Sequence, residues 1–123
     1  MSERWVINAS PMIVLCRIGL QGVIFDLTDE VLLPRAGETA VLTFALVNSG
    51  WTAILDDGAA RKCARSFAIP HKGTLAIVIL AKPRGLIASA ADAIRNLQQG
   101  GFRINDHIVR EAPRRTVGEE WQG

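Results

Sequence analysis

Two adjacent carboxylates, Asp56 and Asp57, follow the run Thr52-Ala53-Ile54-Leu55 and precede Gly58. A β-branched, apolar run ending in acids is the pattern of a buried parallel strand delivering charge to the edge of its sheet. Ligands of open α/β sheets bind beyond the carboxyl ends of the strands, so chemistry is expected at that edge. Two acids without a neighbouring base suit a divalent cation, a proton-transfer pair or a plain turn. Asn8, which ends the run Trp5-Val6-Ile7, emerges at the same edge. Glu38 opens a helical pattern, where the helix dipole favours a carboxylate. Each residue also has an ordinary reading: Asp-Asp-Gly as a turn and helix start, Glu38 as a first-turn acid, Asn8 as a strand-end turn residue. His71 and His107 have no partner at metal-ligand spacing and read as solvated or packing residues.

The elements that must position these side chains follow from periodicity and punctuation. Residues 5–9 read as a strand. Ser10-Pro11 then opens a helix reaching Gly19, with Ser10 as N-cap and Pro11 in the first helical position. Residues 23–25 fit either the end of that helical layer or a second short helix. Residues 30–34 form a strand stopped by Pro34, and residues 38–48 a helix with the stripe Val41, Leu42, Ala45 and Leu46. After the strand at 52–55 comes a helix over 59–67 carrying Arg61, Lys62 and Arg65, then a short strand at 68–70. Thr74 is expected to cap an apolar helix over 75–82. Ser89 and Asp92 resemble a capping box, and Asn105 opens a last helix stopped by Pro113. Strands alternating with helices predict a three-layer α/β/α domain with a central, mainly parallel sheet. That domain covers residues 4–113, and residues 114–123 form a C-terminal tail.

Composition agrees with a single globular domain: 123 residues, 49% hydrophobic and 21% charged. The longest apolar run, residues 75–81, is far short of the roughly 20 residues of a membrane span, and no basic-then-apolar leader opens the chain. A cytoplasmic protein with no membrane partner is expected. Cys16 and Cys63 are expected to be free thiols. The net charge is +2 but unevenly spread: residues 1–57 hold seven acids and three bases, residues 58–123 five acids and eleven bases. Such a division suits a cation held at one place and polyanion phosphates at another; solvated helix faces account for it equally well.

The order of several segments resembles the PIN-domain family, the VapC-like metal-dependent ribonucleases, and a short subgroup within it. The likeness rests on Val6-Ile7-Asn8-Ala9-Ser10-Pro11-Met12-Ile13, Gly37-Glu38-Thr39-Ala40-Val41 and Leu55-Asp56-Asp57-Gly58-Ala59-Ala60-Arg61. It continues through Gly73-Thr74-Leu75, Ala81-Lys82-Pro83-Arg84-Gly85-Leu86-Ile87 and Gly101-Phe102-Arg103-Ile104-Asn105-Asp106. The resemblance implies acids gathered at the carboxyl edge around Mg2+ or Mn2+ for RNA hydrolysis. Asn8, Glu38, Asp56 and Asp57 then stand where metal ligands are expected, with Glu38, Asp56 and Asp57 catalytic. Arg61, Lys62, Arg65 and Thr74 would face the nucleic acid. The implied partners are RNA, a small antitoxin protein and a second copy in a homodimer.

Two departures weaken that site. Asn8 replaces the first Asp of the family, and its neutral carbonyl supplies neither charge nor a base. Between Leu33-Pro34 and Gly37-Glu38 the family usually has two or more helices, one bringing a Glu; here Arg35 stands near the place of that acid. Two functions follow: a weak or single-metal endoribonuclease acting as a toxin, or a non-cleaving PIN-like domain that binds RNA or an antitoxin. A receiver-like signalling domain fits less well, because receivers place an acid pair after the first strand, where Asn8 stands alone.

Overall fold

The computed structural model describes residues 3–102, so the expected helix from Asn105 and the tail at 114–123 lie outside the described residues. Four strands, β1 (Arg4–Ile7), β2 (Glu30–Leu32), β3 (Trp51–Ile54) and β4 (His71–Lys72), form one sheet in the order β2-β1-β3-β4. Every neighbouring pair is parallel. The strands alternate with six helices: α1 (Ala9–Arg17), α2 (Gln21–Leu27), α3 (Glu38–Val47), α4 (Gly58–Ser66), α5 (Thr74–Ala81) and α6 (Ala90–Gln99). This is the three-layer α/β arrangement expected.

Strand parity divides the core. Trp5, Ile7 and Ile54 point to one face, where they pack with Leu15, Ile24, Ile77, Val78, Ile94 and Leu97 from α1, α2, α5 and α6. Val6, Ala53 and Leu55 point to the other and meet Val41, Ala45, Ala60 and Ala64 of α3 and α4. One face therefore has four helices and the other two. Leu32 lies in register with Val6, on the two-helix face, yet is 38% exposed because α3 packs on β1 and β3. Beside it an apolar groove of about 590 Å³ runs along Pro34, Ala36, Phe44 and Val47, where the short β2–α3 connection leaves no covering element among the described residues.

Several boundaries differ from expectation. Helix α1 starts at Ala9 with Asn8 as its N-cap, not at Pro11 after Ser10. Pro11 stays in the first turn, where its missing N–H costs nothing because those amides have no helical acceptor. Gly19, at φ +74, ends the helix as expected, and Leu20 N–H donates to Leu15 O at 2.9 Å, the Schellman closure. Residues 23–25 belong to a second helix, α2. The last strand is at His71–Lys72 rather than 68–70, since Ala68 turns at φ +54 and only Pro70 O begins the ladder, accepting from Ala53 N at 2.8 Å. In α3, Leu46 is 52% exposed, while Val41 and Ala45 are buried. Ser89 caps α6 as expected, accepting from Asp92 N at 3.1 Å. Both thiols are free, and Cys16 is exposed.

Candidate functional site

From β1 the chain crosses to β2 on one side and then returns to β3 on the other. The carboxyl ends of β1 and β3 therefore border the crevice where open α/β sheets bind ligands. Asn8 lies at the first end, 6% exposed, and its backbone N–H donates to Ile54 O at 3.0 Å. Its side chain makes no capping hydrogen bond to α1. Leu55 extends the second end by donating to Lys72 O at 2.9 Å.

Asp56 and Asp57 part at this point. Leu55 is buried on the α3–α4 face, so alternation turns Asp56 toward the opposite face, where α5 begins. Its Oδ1 accepts from Thr74 N at 2.7 Å and its Oδ2 from Thr74 Oγ1 at 2.5 Å. Thr74 is fully buried, so Asp56 satisfies both a hydroxyl and one of the free amides at a helix start. The sequence pattern put Thr74 at the cap of this helix; in the structure Gly73 is the N-cap and the hydroxyl serves Asp56. Asp57 is exposed and caps α4, accepting from Ala60 N at 2.9 Å.

Arg61 lies one turn into α4, its backbone N–H donating to Asp57 O at 3.0 Å. Its guanidinium stands beside Gly73: a Cβ there would lie 3.0 Å from Asp56 Oδ1, 3.4 Å from Leu55 O and 3.5 Å from Arg61 Nη1. Gly73 thus lets the Asp56 carboxylate approach the backbone closely, while Arg61 stands at ordinary contact distance. Arg61 Nε is buried without a hydrogen-bond partner. Lys62 and Arg65 are exposed on the same helix. Glu38 is exposed in the first turn of α3, after Gly37 at φ +81.

Of the candidate residues, the fold brings Asp56, Thr74 and Arg61 together and ties Asn8 to the end of β3. Asp57 turns to its own helix. Among the described residues, no three of the His, Cys, Asp and Glu side chains gather into a group able to hold a metal ion. The described residues as arranged do not fit a multi-carboxylate ion site. Sequence reasoning missed Gly73 and the Asp56–Thr74 bonds, because no local pattern reports a partner eighteen residues away.

A parallel sheet between helical layers, with acids and a buried hydroxyl at its carboxyl edge, defines a three-layer α/β domain. The profile of a family described as a PIN domain matches residues 35–118, and the chain belongs to that family. PIN domains generally use divalent metals. No curated protein and no solved structure matches the chain.

Proposed function

We propose that this protein is a PIN-fold RNA-binding protein with little or no capacity to hydrolyse the RNA it binds. The carrying observation is that, among the described residues, no three His, Cys, Asp or Glu side chains gather at the edge where Asp56 accepts its two bonds from Thr74. Metal-assisted hydrolysis of a phosphodiester needs anionic oxygens holding a hard cation, with positions open to water and phosphate. Asn8 in place of a carboxylate supports the same reading. The basic residues of α4, Arg61, Lys62 and Arg65, supply positive charge for phosphate beside that edge. The test is single-stranded RNA incubated with the protein at millimolar Mn2+, scored for both binding and cleavage. Bound, uncut RNA is expected; turnover that needs Mn2+ and disappears in Asp57→Ala would overthrow the proposal.

A second reading is a weak Mg2+- or Mn2+-dependent endoribonuclease, the toxin of a toxin–antitoxin pair. It is favoured by Glu38, which is exposed near the start of α3 and can turn toward an ion. Calorimetry separates the two readings: Mn2+ binding by the wild type that is lost in both Glu38→Gln and Asp57→Ala supports the nuclease. A small antitoxin protein or a second copy as partner belongs to this second reading. Light scattering, with and without a co-expressed neighbouring reading frame, tests it.

A further inference from the structure

We infer that Arg61 is the resident cation of the carboxyl edge, receiving an RNA phosphate directly so that binding there requires no divalent metal. The inference rests on the RNA-binding reading above and adds the group that makes the contact. Helical side chains lean toward the N-terminus of their helix, so Arg61, on the first turn of α4, leans back toward the sheet edge. Its Nη1 reaches Gly73, 3.5 Å from where a Cβ would stand.

The guanidinium enters that space without a partner. Arg61 is half-buried; its Nε is covered from solvent without a hydrogen bond, so Nη1 and Nη2 are the nitrogens left to meet a ligand, and Arg61 forms no ion pair among the described residues. Asp56 stands close by, and its oxygens accept from the Thr74 amide and hydroxyl rather than from Arg61. Asp57 is likewise turned to Ala60. The edge thus holds a positive fork whose neighbouring acids are both engaged elsewhere. A planar guanidinium matches a phosphate through paired N–H donors, which a lysine ammonium does not reproduce. Lys62 and Arg65, on the solvent side of α4, add a general attraction.

The experiment is fluorescence anisotropy of a short labelled oligouridylate, in EDTA and in Mn2+, across a salt series. The wild type is expected to bind equally in both buffers. Arg61→Ala is expected to lose affinity on the order of tenfold, and its plot of log affinity against log salt to become shallower by about 0.7, one phosphate contact on a single strand. Arg61→Lys should restore the salt slope but only part of the affinity, and it covers the case in which the alanine variant fails to fold. Arg65→Ala should weaken binding less. Wild-type binding abolished by EDTA and restored by Mn2+ would overturn the inference while leaving RNA binding intact. An Arg61→Ala variant that binds like the wild type would do the same. No binding in either buffer would remove both the inference and the reading beneath it.

Discussion

Strand β3 has a buried arginine nitrogen near each of its ends, and the two ends are finished differently. At its start, Arg4 is in register with Trp51, and the guanidinium carbon lies 5.5 Å from the Trp51 ring centroid. Phe44 meets the same indole edge-on, with centroids 5.0 Å apart. Gly50 makes room, since a Cβ there would fall 2.6 Å from Arg4 Nη2. Beyond the other end, Arg61 leans against Gly73, with a carboxylate nearby and no aromatic ring against it among the described residues. Neither nitrogen has a hydrogen bond among the described residues. An aromatic face partly compensates the first cation, which then belongs to the packing of the amino edge. The second has no such cover, at the edge where parallel sheets bind ligands. The same residue type, tight against Gly50 at one end and at ordinary contact distance from Gly73 at the other, serves packing at the first and is proposed to serve recognition at the second.

Substitutions should separate the two ends. The largest loss of stability is expected from Asp56→Ala, which leaves the Thr74 amide and hydroxyl buried without an acceptor, at about 3 kcal/mol in urea denaturation. A loss below about 1 kcal/mol would mean the carboxyl end is not locked as described. Gly50→Ala forces an L side chain to φ +90 and should cost about 1–2 kcal/mol while leaving RNA affinity unchanged. Gly73→Ala should weaken RNA binding, because its Cβ would crowd Asp56 Oδ1 next to Arg61; equal effects of the two glycine variants on RNA would erase the distinction between the ends. Asp57→Ala should cost about 1 kcal/mol as a lost N-cap, with Asp57→Ser retaining most of it. Arg4→Leu comes last, at about 0.5–1 kcal/mol for the lost cation–π contact. Reduced RNA affinity in Arg4→Leu would count against assigning recognition to the carboxyl end alone.

Much of the fold was legible because its signals are local. Ser89 with an acid three residues on, Gly19 at positive φ and the apolar run into Asp56 each declare an element boundary within a few residues. The two-residue strand β4 was not legible at its true position: Ala68 and Ile69 have the composition of a strand, but a residue at φ +54 breaks it and the ladder starts at Pro70. Pro11 suggested a start for α1 two residues late, since proline is tolerated anywhere in a first turn. The exposure of Leu46 and Leu32 could not be read either, because apolar character does not reveal which layer lacks a covering helix.

The candidate site divides along the same line. Sequence alone determined that Asn8, Asp56 and Asp57 stand at the carboxyl edge, since apolar strands that alternate with helices in a parallel sheet all end on one side. It also determined the positive face of α4, since Arg61, Lys62 and Arg65 follow directly from helical spacing. Only the tertiary structure decided what those groups do. The order β2-β1-β3-β4 sets β4 beside β3, and that neighbourhood brings Gly73 and Thr74 to Asp56. Strand parity then sends one acid of an adjacent pair to α5 and the other to α4. Partners eighteen residues apart meet through sheet order and side-chain parity, and neither is written in the local pattern of the chain.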